Sequence, residues 1–111
     1  MSCVEESINI LTSMREVTIS NKVQNKIEEL KTYLIYELKL SRETAIARTE
    51  RIDDFLLSLS YPADYALCRF KKWQELGYRC AVFERSWVFA YEIFDDGIIV
   101  RDMSHAALLA E

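Results

Sequence analysis

Hydrophobic and polar positions alternate in REVTIS, residues 15–20, with Val17 and Ile19 pointing one way and Glu16 and Thr18 the other. A period of two over so short a run predicts a half-buried strand. From Asn21 the period lengthens. Val23, Ile27, Leu30, Leu34 and Leu38 recur at intervals of four, three, four and four, which is one face of an amphipathic helix. Asn21 is the expected cap, with Gln24 as its capping-box partner, and the run ends near Lys39. Ser41 begins a second helix, with Glu43 in the first turn where the helix dipole favours an acid. Ala45, Ile52, Phe55, Leu56 and Leu59 form its buried stripe. Pro62 closes it, because the residue before a proline avoids helical geometry. A link of only about three residues makes the two helices an antiparallel hairpin.

Residues 61–77 follow neither period cleanly. A short extended piece is expected near 66–70, then a helical turn in KKWQELG stopped by Gly77. After Gly77 the period returns to two. YRCAVFE (78–84) is a strand, Arg85–Ser86 the connection, and WVFAYEIF (87–94) the next strand. Trp87, Phe89, Tyr91 and Ile93 share one side of it. Val88, Ala90 and Phe94 make the other side apolar too, the pattern of a strand covered on both faces. Asp95-Asp96-Gly97 contains the Asp-Gly signal of a hairpin, and GIIVRDM (97–103) is the last strand. The order is an N-terminal strand, an antiparallel helical hairpin and a C-terminal antiparallel β-meander. Each helix has one apolar stripe that needs a sheet face, so the class is a two-layer α+β domain. Residues 1–13 read as an N-terminal extension and residues 14–111 as a single domain.

Composition narrows this picture. The chain has 111 residues, half of them hydrophobic, with 2 Gly and 1 Pro. That is enough for one core and argues against disorder. No apolar run approaches the roughly 20 residues that cross a bilayer. The first segment carries Glu5 and Glu6 where a signal peptide carries Lys or Arg, so a cytoplasmic protein is expected. Cys3, Cys68 and Cys80 are odd in number and contain no C-x-x-C pair, so no disulfide framework is expected. With a single histidine, neither is a zinc site. The net charge of −4 gives no whole-molecule footprint for nucleic acid. There is no phosphate loop, Cys/His cluster or G-x-S-x-G elbow, and no cofactor is expected.

Several words in this order resemble the RelE/ParE superfamily of toxins from type II toxin–antitoxin systems. YPADYALCRF is similar to the proline-then-Leu-Cys segment of one ParE-like subgroup. ELGYR (75–79) resembles the Gly-aromatic-Arg that opens the family's core hairpin. WVFAYEIFDDGIIVRDMSH (87–105) resembles that hairpin, ending in the family's histidine. The resemblance covers about residues 14–105. It implies a RelE/ParE-like two-layer fold and neutralisation by a cognate antitoxin. It also implies one of two activities: ribosome-dependent, metal-independent mRNA cleavage, as in RelE-like members, or poisoning of DNA gyrase by binding, as in ParE-like members.

RNA cleavage without metal needs a base for the 2′-OH, cations for the scissile phosphate and an acid for the leaving oxygen. Between residues 69 and 85, Arg69, Lys71, Lys72, Arg79 and Arg85 face only Glu75 and Glu84, a local excess of +3. Arg79 matches the family's hairpin arginine and is the first candidate cation, against a structural ion pair. Lys71 is a second candidate, against plain surface charge. His105 stands where relatives place a histidine or tyrosine. An imidazole suits either proton role, against a structural hydrogen bond at a strand end. The chain departs from the pattern in its tail, Ala106-Ala107-Leu108-Leu109-Ala110, which carries no cation or phenol. It departs again at Trp87, where many relatives have tyrosine. Trp73 and Trp87 are read as core or as base-stacking platforms. The outer faces of the helices, with Glu28, Glu29, Lys31, Arg48 and Arg51, are read as solvated or as an antitoxin contact. These departures and the acidic net charge favour a binding toxin, or an inactivated relative that only binds an antitoxin, over a nuclease.

Overall fold

The computed structural model describes residues 15–61 and 63–109. The expected extension at residues 1–13 and the stop at Pro62 lie outside them. Strand β1 (Glu16–Ile19) leads into helix α1 (Asn21–Tyr36) and helix α2 (Arg42–Leu57), which continues as a 3-10 turn at Ser58–Ser60. A one-turn helix α3 (Lys71–Gln74) precedes strands β2 (Arg79–Phe83), β3 (Trp87–Ile93) and β4 (Gly97–His105). The α+β class and the element order are those expected.

The cap of α1 is Ser20, one residue before the expected Asn21. Ser20 leaves β1 in extended geometry, and its Oγ accepts the Val23 amide at 3.3 Å. Gln24 closes no capping box; its Nε2 donates to the Ile19 carbonyl at 2.8 Å. Val23, Ile27 and Leu34 are buried. The helix ends before Leu38, which is half exposed. Lys39 adopts a left-handed φ of 58°, and the Leu40 amide returns to the Leu34 carbonyl at 3.0 Å. The link therefore spans residues 37–41, longer than expected, because the chain needs these residues to reverse. Ser41 caps α2 as expected, accepting the Thr44 amide at 3.1 Å. Its buried face includes Thr49, whose hydroxyl is satisfied by donating to the Ala45 carbonyl at 3.2 Å.

The sheet order is β1-β4-β3-β2. The meander is antiparallel throughout, as expected. β1 joins β4 in parallel, so the sheet as a whole is mixed. The helical hairpin carries the chain across one sheet face and the meander returns it, which sets β1 and β4 in the same direction. The β2–β3 turn falls on Glu84 and Arg85, with φ of 51° and 61°, one residue earlier than expected. The Ser86 amide closes it on the Phe83 carbonyl at 3.1 Å. Asp-Gly does mark the β3–β4 connection, but for a different reason than turn geometry. Gly97 is already the first residue of β4, and a Cβ there would lie 2.5 Å from the Glu16 carbonyl oxygen. Close passage of β1 is what demands glycine.

Both sheet faces are covered. Val23, Ile27, Ile52, Leu56, Phe89, Tyr91 and Met103 belong to the main core between the helices and the sheet. On the other face Cys68 and Trp73 pack on Val88 and Ala90. The two-sided apolar pattern is thus fulfilled over Val88–Tyr91, with residues 66–77 as a second, smaller cover, whereas Ile93 and Phe94, expected on the covered faces, are exposed where the strand runs out beyond both covers. Cys68 and Cys80 are joined in a disulfide, their Cα atoms 4.9 Å apart. This corrects the expectation of unbridged thiols. The left-handed turn at Gly77, φ 73°, folds the chain back so that Leu67 bridges Arg79, which sets the two cysteines side by side. Among the described residues, no helix is long and apolar enough to cross a membrane.

Candidate functional site

The three candidate site residues do not converge. Arg79 begins β2 on the rung of Tyr91, and Tyr91 pairs with Val100. His105 ends β4 on the rung of Trp87, which pairs with Phe83. Four residues of strand, about 13 Å, separate those rungs. Lys71 is exposed on α3, whose Trp73 packs on the opposite face of the sheet from the helical hairpin.

Each has a local environment. Arg79 Nη1 donates to the Tyr65 carbonyl at 2.7 Å, pinning the 63–67 segment to the start of β2. Beside it, Arg15 pairs with Asp64 at 2.6 Å. The buried Tyr91 hydroxyl donates to Asp64 at 3.2 Å and accepts the Tyr65 amide at 2.9 Å. The Arg15 hydrogen bond holds the Asp64 carboxyl below its ordinary range, while burial pushes the Tyr91 phenol up. Arg79 therefore sits in a structural junction. His105 Nδ1 accepts the Ala107 amide at 3.2 Å, capping the short 3-10 turn Ala106–Leu108, and its ring meets Trp87 edge-on at 5.2 Å. Because Nδ1 accepts, the neutral ring carries its proton on Nε2. Trp73 is core, 2 % exposed, and stacks no base.

A cleft opens beside His105. It lies between the distal half of the helical hairpin and the end of the sheet, with a volume of about 1220 Å³. Leu30, Leu34, Ile52, Phe83, Trp87 and Met103 line it with apolar surface, and half-exposed Tyr33 and Leu38 extend that surface at the mouth. Its charged rim is balanced: Lys26, Arg48 and Arg51 against Glu29, Glu43 and Glu84. Arg51 is bonded to Glu84 at 3.0 Å, across from α2 to the strained β2–β3 turn.

Lys26 is engaged elsewhere. β1 pairs with β4 only as far as Val100, and α1 covers the edge that β1 leaves open. Ser20 donates to the Val100 and Arg101 carbonyls, and Lys26 Nζ donates to Met103 at 3.0 Å. At this edge Asp102, 7 % exposed, accepts from Lys26 at 2.8 Å, Lys22 at 3.1 Å, Trp73 Nε1 at 3.2 Å and the Met103 amide at 2.8 Å. Burial opposes the charge on Asp102, but the hydrogen bonds from Lys26, Lys22 and Met103 outweigh it and hold the carboxyl down at about 2. This group ties both sheet covers to β4. Sequence reasoning passed over it, although the signal was there: a lone acid in an apolar strand, and Lys22 and Lys26 one turn apart on a helix. The exposed Tyr33, lying off the apolar stripe of α1, was the corresponding signal for the cleft.

Among the described residues, no group of three or more His, Cys, Asp or Glu side chains is placed to hold a metal ion. No family model, curated protein or solved structure matches the chain.

Proposed function

We propose that the chain is a growth-inhibiting toxin of the RelE/ParE kind. In this reading it is neutralised by a cognate antitoxin in the cytoplasm and acts by binding a target such as DNA gyrase. The observation that carries the binding reading is the cleft. It offers apolar surface on the scale of a partner's side chains, and its rim charges cancel. A scissile phosphate needs an uncompensated group of cations, whereas an apolar protein segment needs a concave apolar surface with a polar rim. The separation of Arg79, Lys71 and His105 supports the same choice. So does the use of His105 Nδ1 as a cap, which leaves the imidazole a single nitrogen for proton transfer.

The test is inducible expression of the whole chain in a bacterial host, with and without the product of the adjoining gene. Growth arrest with a DNA-damage response, intact transcripts and rescue by the neighbouring protein is the expected result. Transcripts cut within codons would reassign the protein to ribosome-dependent mRNA cleavage, and no growth defect would remove the toxin reading. For the cleft itself, Tyr33→Glu combined with Leu38→Glu alters two half-exposed positions and leaves the core intact. Calorimetric affinity for the neighbouring protein should fall at least about tenfold, the weight of one modest interface contact. Unchanged affinity would move the binding surface elsewhere.

A further inference from the structure

We infer that the Cys68–Cys80 bond is a reducible latch on the smaller cover of the sheet. Residues 66–68 lie along the outer edge of β2, held by the Cys68 amide on the Tyr78 carbonyl at 2.8 Å and the Cys80 amide on the Ala66 carbonyl at 3.1 Å. Leu67 against Arg79 is a single isolated bridge. From there α3 reaches over the outer face, and its one buried side chain is Trp73, packed on Val88 and Ala90. Trp73 with its hydrogen bond to Asp102, the flanking Phe70, two edge hydrogen bonds and a covalent bond therefore hold a segment of largely exposed residues. Arg69, Lys71, Lys72, Glu75 and Leu76 are all exposed. Opening the bond leaves this cover to stand on Trp73, its hydrogen bond to Asp102, Phe70 and the two edge hydrogen bonds. It would uncover the β2 edge and the Val88–Ala90 surface without touching the core under the helices.

The two sulfurs differ in access. Cys68 is 2 % exposed, whereas Cys80 is only partly buried. A thiolate of an external dithiol attacks Cys80 Sγ, the Cys68 sulfur leaves as thiolate and takes a proton, and the mixed disulfide is resolved by the reductant's second thiol. Two electrons and two protons pass to the protein, and the dithiol leaves as its own disulfide. In a reducing compartment, disulfides of this sort are usually redox-sensing or transient. The latch does not depend on which partner fills the cleft.

Hydrogen–deuterium exchange on the full chain carrying Cys3→Ser, oxidised and then reduced with dithiothreitol, tests it. The substitution removes the third thiol and prevents shuffling. Peptides covering 63–83 should exchange faster after reduction, by a factor on the order of a hundred, the scale a bridge closing a loop of this size supplies. Peptides from 22–57 and 97–105 should keep their rates. Cys68→Ser with Cys80→Ser should reproduce the reduced pattern without reductant. Equal acceleration everywhere would make the bond a staple of the whole fold and overturn the inference. No acceleration at 63–83 in either the reduced or the doubly substituted protein would overturn it as well.

Discussion

The two faces of the sheet are held by different means. Under the helical hairpin, two apolar stripes close over Phe89, Tyr91, Ile98 and Val100, each essentially without solvent exposure, and the charged contacts of that layer, Lys22 and Lys26 with Asp102 and Arg51 with Glu84, lie at its margins. On the outer face the cover is one turn of helix and an extended piece. There the chain uses a disulfide and an indole hydrogen bond to the Asp102 carboxylate. Apolar burial contributes roughly in proportion to area. A sixteen-residue helix supplies enough area by itself, and a four-residue helix does not. Small covers need directional or covalent contacts because their apolar area cannot offset the entropy of ordering them.

That contrast predicts where substitutions hurt most. Phe89→Ala empties the centre of the larger core, where the ring also packs against Phe55 at 5.9 Å between centroids. It should cost about 3–5 kcal/mol, read as a fall in the urea midpoint with little change in slope. A loss under about 1 kcal/mol would mean that the helical layer is not the main source of stability.

Asp102→Asn should cost less, about 2–3 kcal/mol, because the lysines it strands are partly exposed and can turn to water. Its signature is in the pH dependence. The folded carboxyl lies at about 2, below the unfolded range near 4, so folding favours the ionised form. The stabilisation is therefore complete above the unfolded value and is lost as pH falls through the folded one. Wild-type stability should drop between about pH 5 and pH 2, and Asp102→Asn should flatten that drop. An unchanged acid limb would show that the lysine pair contributes nothing to either cover.

The smallest effect is expected at the open end of the helix-covered face. Glu84 and Arg85 hold left-handed geometry without glycine, at about 1 kcal/mol or more each. Replacing them with Asn and Gly, residues that tolerate left-handed geometry, should raise stability by about 1 kcal/mol. The exposed Arg51–Glu84 pair that is lost is worth less than this. Thermal unfolding would show a rise of a few degrees. A fall instead would assign the Arg51–Glu84 contact a structural weight that surface pairs rarely have.

Much of the fold was legible in the chain because periodicity is local. The stripe Val23–Ile27–Leu34 and the stripe Ala45–Ile52–Leu56 identified the hairpin, and the doubly apolar run of Val88 to Tyr91 identified a strand covered twice. Boundaries slipped by a residue or more at Ser20, at Leu38 and at Glu84, where capping and turn geometry compete with pattern. The cleft was legible only in fragments. Arg79 and His105 both lie in the hairpin that drew attention, yet they stand on rungs far apart. The residues that shape the cleft came from α1, α2, the β2–β3 turn and the C-terminal end of β4.

The sequence alone determined which segments are helical or extended and which of their sides are apolar, since side-chain direction within an element follows from its own repeat. Only the tertiary structure decided that β1 runs parallel to β4, that Cys68 meets Cys80, that Asp102 is shared by Lys22 and Lys26, and that a cleft remains beside His105. Those contacts join residues twelve to eighty-one positions apart. Whether such groups meet depends on how the elements cross and where each strand stops, which no local pattern encodes.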